Sequence, residues 1–166
     1  MREHGFDFRF VHKDKNGEVL EDSGFMGNHV TDDGFELLYD SFFRGASAPD
    51  NFAIGLAQNS LGQTDSLGDV MEVTGTGYER QALERSAIGF PSLGLDGGDM
   101  EIESATVQFE NTAEEGAWDS AVDGFLVAEG ASIDDALVCY RPLSATRTLQ
   151  VGDTLDVTIR VKGLQP

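Results

Sequence analysis

Three histidines, His4, His12 and His29, are the side chains of this sequence best suited to bind a transition metal or to move a proton. His4 and His12 would stand at opposite ends of one strand, and neither has the close ligand spacing of a zinc site. We therefore interpret all three as structural or solvent-exposed. The sequence also contains no Gly-x-Ser-x-Gly elbow, no phosphate-binding glycine loop and no His-Glu-x-x-His motif. These patterns favour a protein that is not an enzyme.

A second candidate site is the segment LDGGDMEIE, in which Asp96, Asp99 and Glu101 surround two glycines. Carboxylates bunched on a flexible turn are ligands that Ca²⁺ prefers, so these three residues are the candidate metal ligands of the chain. Their spacing does not match the twelve-residue EF-hand loop, and a glycine-rich hairpin turn with solvated acids is the favoured interpretation. Asp134 and Asp135 are likewise interpreted as a turn. We expect no cofactor.

Other side chains could take part in catalysis or binding, but the sequence shows no group of residues at the spacing that such a site needs. Glycoside hydrolysis needs two carboxylates at a set separation, but among 30 acids some pair meets that condition by chance. Cys139, in the apolar run ALVCY, has no partner for an internal disulfide and is interpreted as a core residue. Trp118 and Tyr78 could form a sugar-binding surface, although such aromatics more often fill a core or an interface. A glycan-active or metal-dependent enzyme is kept only as a third class of function.

Charge is the strongest compositional feature of the chain. Its 166 residues include 30 acidic and 11 basic side chains, which leave a net charge of −19. DNA binding depends mainly on cations that neutralise phosphates, so we expect no nucleic-acid partner. No run approaches the ~18 apolar residues of a membrane span, and the segment MREHGFDFRF lacks the apolar stretch of a secretory signal. We therefore expect neither a membrane partner nor export by that route.

The elements that must position these side chains begin with a hairpin. In FDFRF, apolar Phe6, Phe8 and Phe10 alternate with polar residues, which is the period of a strand. The dipeptide Asn16-Gly17 suits a tight hairpin turn, because both positions tolerate positive φ. Residues 1–30 are therefore predicted to form an N-terminal hairpin or arm, with a return strand from about residue 18 to residue 26.

A short amphipathic helix is predicted over residues 31–45. Thr31 can cap its N-terminus, and the acidic residues that follow suit the positive end of the helix dipole. Gly45 is suited to end it. The apolar residues recur at i, i+3, i+4 and i+7, as in an amphipathic helix. They are Phe35, Leu38, Tyr39 and Phe42.

Residues 51–164 return to a β pattern of many short strands separated by Gly, Asp, Asn and Ser clusters. The terminal segment alternates apolar Leu155, Val157, Ile159 and Val161 with polar residues, as a strand with one buried face does. Such spacing favours an antiparallel sandwich over alternating β-α units. The sequence therefore predicts a mainly β protein: one antiparallel β-sandwich domain over residues 1–166, jelly-roll-like or Ig-like, with an N-terminal hairpin and one short α-helix.

Several stretches, taken in order, resemble a widespread kind of small phage virion protein. They are NHVTDDGFELLYDSFFRGASAPDNFAIGL, GYERQAL, ESATVQFEN and the segment from DGFLVAEG to TIRVKGL, which together span residues 28–164. The motifs are patterns of apolar residues, glycines and turns. The resemblance implies a β-sandwich virion component, found as a capsid decoration protein, a head fibre or a tail-associated protein. It implies no catalytic residues.

From this resemblance we expect a capsid decoration, or cement, protein that binds the major capsid protein on the capsid exterior and stabilises the head. We expect a homo-oligomer, with a trimer favoured, and assembly in the host cytoplasm, which the absence of disulfides suits. The alternative is a tail, neck, baseplate or fibre component that acts as an adaptor or binds a host glycan.

Contact residues are expected in the N-terminal hairpin and at the end of the helix. For these aromatic residues, filling the core of the domain itself is an equally open interpretation. The candidate interface residues are Phe6, Phe8, Phe10, Phe42, Phe43 and Arg44.

Overall fold

The structure is a computed structural model that describes residues 5–112, 116–130 and 135–163. The described part of the chain contains no helix long and apolar enough to cross a membrane. In chain order, the elements are β1 (Gly5–Lys13), β2 (Val19–Asp22), β3 (Met26–Gly27), β4 (His29–Val30), α1 (Asp32–Phe43), β5 (Asn51–Ala57), β6 (Gln81–Glu84), β7 (Ser92–Asp96), β8 (Asp99–Glu103), β9 (Val107–Glu110), β10 (Ala121–Glu129), β11 (Ala136–Arg147) and β12 (Thr154–Gly163).

The strands form two antiparallel sheets. In the first sheet, as far as the described residues show, the order is β2-β1-β12-β8-β7, and β3 and β9 add to β1 and β12. The second sheet has the order β4-β11-β10-β5-β6. This arrangement confirms the predicted fold class, a mainly β antiparallel sandwich with one short α-helix. The terminal strand lies at the centre of the first sheet, between β1 and β8.

The core lies between the two sheets. Phe8 pairs with Ile159 and Phe10 with Val157 across β1 and β12, and all four side chains are buried. They belong to one apolar cluster with residues of the second sheet, among them Leu126. The period-two pattern of both strands is therefore explained by one face that packs on the opposite sheet.

The second sheet is buried on its other face as well. There Phe125, Val127 and Leu137 form a separate buried cluster with Leu61. Leu61 lies in residues 58–71, the first part of the long segment that joins β5 to β6, so this part of the segment covers the sheet. Burial on both faces explains why the sequence of β10 is apolar almost without alternation.

The N-terminal hairpin forms at the predicted place, but its turn is centred one residue earlier than predicted, because the Gly17 N–H donates to the carbonyl of Asp14 and Asn16 has no positive φ. Gly17 has a φ of 81°, which a glycine adopts without strain. The carboxylate of Asp14 accepts the backbone N–H groups of Asn16 and Glu18, which holds the turn in place. The predicted return strand is interrupted, because β2 and β3 pair with different stretches of β1.

Candidate interaction surface

Helix α1 is fixed to the second sheet at its first residue. Strand β4 pairs with β11 and leads directly into the buried Thr31. The Thr31 hydroxyl accepts the backbone N–H of Gly34 at 3.0 Å and donates to the carbonyl of Leu137. The Thr31 N–H donates to the carbonyl of Val138 at 3.1 Å. One residue thus caps the helix and joins it to β11, as the sequence predicted for the cap.

A glycine decides which face of the helix meets the sheet. A Cβ on Gly34 would lie 2.1 Å from the carbonyl oxygen of Val138, so only glycine allows this approach. One turn further, Leu37 is buried in the core cluster beside Val138. The helix therefore faces the sheet with Gly34 and Leu37, and its predicted apolar stripe points elsewhere.

That stripe, extended by Phe43, is exposed to solvent. Phe42 and Phe43 are 84% and 76% exposed, so the alternative that they fill the core is wrong for these two residues. Their rings contact each other with centroids 5.1 Å apart. We name the whole surface the helix patch. It consists of Phe35, Leu38, Tyr39, Phe42 and Phe43.

An apolar groove borders the helix patch. It has a volume of about 270 Å³ and lies between the helix, the segment that follows it and the edge of the sandwich. Leu38 and Phe42 of the helix patch form one wall. Phe6 and Phe52 form part of the rest, and Arg85 contributes a cation. The groove is concave and the helix patch projects beside it. The two form one apolar surface, because they share Leu38 and Phe42.

The other interface candidates lie in different surroundings. Phe8 and Phe10 are buried in the core, at 0% and 4% exposure, so the core interpretation is the correct one for them. Phe6 is partly buried against the core cluster and also lines the groove. Arg44 donates to the Asp40 carboxylate at 2.8 Å, one helical turn back. The structure thus brings Phe6 and Phe42 to the same groove.

The candidate metal ligands lie on the β7–β8 hairpin, and Lys162 of β12 pairs with two of them. The Lys162 ammonium is 2.8 Å from the Asp96 carboxylate and 3.4 Å from that of Glu101. The hydrogen bond from Lys162 lowers the pKa of Asp96. Asp99 pairs with Asp96 across a two-glycine turn. Among the described residues, no group of three or more His, Cys, Asp or Glu side chains could hold a metal ion.

The β7–β8 hairpin also presents exposed apolar side chains. Leu93 and Leu95 of β7 are 69% and 71% exposed, and Met100 of β8 lies opposite Leu95. β7 stands at the edge of its sheet in the described part of the chain. This apolar strip has three exposed side chains, against five in the helix patch.

The two histidines in the described part of the chain contact different partners. His12 is buried, and its ring nitrogen is 3.3 Å from the Asp153 carboxylate. His29 stacks on Tyr140 with ring centroids 5.4 Å apart. His4 and Asp134 lie outside the described residues. Burial raises the pKa of the Cys139 thiol, which fits the predicted core role of that residue.

Trp118 and Tyr78 pack into the sandwich instead of forming an exposed aromatic platform. Trp118 is 3% exposed and its indole N–H donates to the carbonyl of Thr76 at 3.0 Å. The Tyr78 hydroxyl accepts the backbone N–H of Leu56 at 2.8 Å and donates to Glu72 at 2.9 Å. These bonds give the aromatic residues a structural function.

Asp123, a buried carboxylate on β10, is not among the residues predicted from the sequence. One of its oxygens accepts the backbone N–H of Leu61 at 2.8 Å, which ties the covering segment to the sheet. Its other oxygen is buried without a hydrogen-bond partner among the described residues. Burial raises the pKa of this carboxyl, although the Leu61 N–H and the charge of Arg141 act in the opposite direction. The sequence did contain a signal for this residue, because an aspartate within the apolar run of β10 indicates a buried carboxylate.

Comparison with protein families matches residues 31–165 to the model of one family, which is described as podophage GP4 fiber I protein gp80. No curated protein and no solved structure gives a significant match to the chain. The matched region begins at the residue that caps α1 and takes in the helix patch and strands β5 to β12.

Proposed function

The chain belongs to the podophage GP4 fiber I protein gp80 family, and from this premise we propose that it is a structural, non-enzymatic subunit of a virion fibre. The observation that carries the proposal is the extent of the match, which covers residues 31–165 of 166. The expected resemblance to phage virion proteins is thereby confirmed. The family description names a fibre, which was the alternative to capsid decoration.

The physical character of the surface supports a contact function outside the capsid. A net charge of −19 repels packaged DNA and keeps an exposed protein soluble. The helix patch adds five exposed apolar side chains, and contiguous exposed apolar surface often marks a site that binds other proteins. The molecule thus combines a stable sandwich with a site at which further apolar surface can be buried.

Capsid decoration remains the competing arrangement. In that arrangement the same apolar surface would contact the major capsid protein on the capsid exterior, as a trimer. The acidic charge suits both positions, and the family description favours the fibre. Binding of a host glycan by Trp118 or Tyr78 receives no support, because both side chains are engaged inside the sandwich.

Electron microscopy of labelled particles tests the proposal. An antibody fragment against the purified chain would be added to intact virions, and its position recorded. We expect label on fibres and none over the faces of the head. Label distributed regularly over the head would contradict the fibre assignment and support decoration instead.

A further inference from the structure

The core-facing side of the first sheet continues onto the β7–β8 hairpin. One row of directly paired residues crosses β1, β12, β8 and β7, and directly paired residues lie on the same face of a sheet. The row consists of Phe6, Val161, Ile102 and Leu93. The first three side chains are partly buried, and Leu93 is 69% exposed. The cover that the rest of the molecule gives this face therefore ends before the hairpin.

The hairpin combines its apolar strip with a free strand edge. In the next row of the same face, Leu95 is 71% exposed and pairs with Met100, which is 48% exposed. In the described part of the chain, β7 has a neighbouring strand on one side only. About half of its backbone N–H and C=O groups therefore point away from the sheet, where a strand of another chain can pair with them. Such strand addition is a recurring mode of peptide recognition.

The opposite face of the hairpin carries an excess of negative charge. Four carboxylates lie there beside two basic side chains of β12. These residues are Asp96, Asp99, Glu101 and Glu103, with Arg160 and Lys162 next to them. Arg160 is also held by the Asp7 carboxylate at 2.6 Å. A partner that adds cations to this face is therefore favoured over one that adds acids.

Strand β7 leaves this acidic face open toward its edge. Gly94 pairs with Glu101 of β8, and a Cβ on Gly94 would meet nothing within 4 Å. From the opposite side, the Lys162 side chain extends over β8 and brings its ammonium 2.8 Å from the Asp96 carboxylate of β7. A lysine or arginine on a strand beside β7 can extend over Gly94 toward Glu101 in the same way.

We propose that β7 is a strand-addition site for an extended basic segment of another virion protein. Apolar side chains of the added strand pack beside Leu93 and Leu95, and its lysines or arginines lie on the acidic face. The virion as the source of this segment rests on the proposed function, whereas the chemistry of the segment rests on the hairpin alone. A second copy of β7 fits poorly, because Asp96 of each copy would approach the acidic face of the other, and like charges opposed across strands are destabilising.

Strand β12 provides the design of a probe. It pairs with β8, and its Ile159 and Val161 alternate with Arg160 and Lys162. The probe is the labelled peptide KVTIRVK, which repeats residues 157–162 after an added lysine. Fluorescence anisotropy would follow its binding to the purified full chain. We expect a dissociation constant below ~1 mM that rises as salt is added, because exposed charge pairs are screened.

A second peptide and variants of the edge test the chemistry and the place of binding. The peptide EVTIEVE, with acids in place of the basic residues, should not bind. L93S/L95S removes the leucines of β7, and Gly94→Lys places a cation in the open space above the acidic face. Each should raise the dissociation constant of KVTIRVK by roughly 10-fold or more.

The matched control is F42S/F43S, which removes two similarly exposed apolar side chains from the helix patch. It should bind the peptide like the wild type, and thermal unfolding verifies that each variant is folded. Hydrogen exchange then locates the contact. Bound peptide should slow the exchange of backbone amides in residues 92–96, because free amides of the edge become hydrogen-bonded.

Four outcomes would overturn the proposal. They are no binding of KVTIRVK up to ~1 mM, equal binding of EVTIEVE, binding lost in F42S/F43S but kept in L93S/L95S, and slowed exchange confined to segments other than β7. None of these measurements needs a virion, so their failure would leave the fibre assignment unaffected. Label on fibres is expected whether or not the peptide binds.

Discussion

Replacing Gly34 by alanine should detach the start of α1 from the sheet. The new Cβ would lie 2.1 Å from the carbonyl oxygen of Val138, well inside the 3.0 Å limit below which such contacts are essentially never seen. The oxygen belongs to the backbone of a strand near the centre of its sheet and cannot rotate away. The helix must therefore shift by about an ångström, which strains the hydrogen bonds of Thr31 to β11.

The shift lowers the free energy of unfolding, and the higher helix propensity of alanine partly offsets this loss. Overpacking of a fitted contact costs typically 1–3 kcal/mol, occasionally more, and weakening the buried bonds of Thr31 adds ~1 kcal/mol. Alanine in place of glycine gains about 1 kcal/mol in a helix. We expect a net loss of ~2 kcal/mol in the free energy of unfolding.

Urea denaturation of the Gly34→Ala variant measures this loss. Gly94→Ala is the matched control, because a Cβ there meets nothing within 4 Å. The control should lie within ~0.5 kcal/mol of the wild type, as surface substitutions do. A Gly34→Ala variant as stable as the wild type would show that the helix does not approach β11 as closely as described, and the orientation of the helix patch would need revision.

Three further outcomes follow from individual side chains. Burial raises the folded-state pKa of Asp123 above its unfolded value, so the wild type loses stability as pH rises through that pKa and the Asp123→Asn variant does not. The free energy of unfolding of this variant, relative to the wild type, should therefore increase from about pH 4 to about pH 7, and a difference independent of pH would contradict the assignment. Tyr78→Phe removes the acceptor of the Leu56 N–H and should cost ~1–3 kcal/mol by urea denaturation; a neutral result would mean that the bond contributes nothing. Because the Lys162 ammonium already pairs with Asp96, Ca²⁺ and its chelation should leave the thermal unfolding midpoint unchanged. A Ca²⁺-dependent rise would instead support the candidate ligands Asp96, Asp99 and Glu101 as a metal site.

The sequence predicts the local elements of this fold well, because they depend on near neighbours. The hairpin turn near Asn16-Gly17 and the Thr31 cap are signals of two to four residues. The cap forms as predicted, and the turn forms one residue earlier than predicted. The alternation of β12 likewise predicts its single buried face. The covering segment of residues 58–71 carries no such period, and its contact with the sheet depends on long-range packing around Leu61.

The orientation of α1 could not be predicted from its periodicity. Its strongest apolar stripe faces solvent, and the buried face is made by a residue without a side chain, Gly34, together with Leu37. A glycine adds nothing to a hydrophobic pattern, although Gly34 is the residue that lets the helix backbone come close to β11. Phe42 and Phe43 could be named as contact candidates, but their exposure depends on this approach. In the same way, the pairing of Lys162 with Asp96 depends on strands that are distant in the sequence.

The copy number of this chain in purified particles, relative to the major capsid protein, tests the central claim most directly. Quantitative mass spectrometry of intact virions would give the ratio. A fibre subunit should be present in a few to a few tens of copies per particle. A ratio near one per capsid subunit would contradict the fibre assignment in favour of decoration, and absence from the particles would contradict a structural function in the virion altogether.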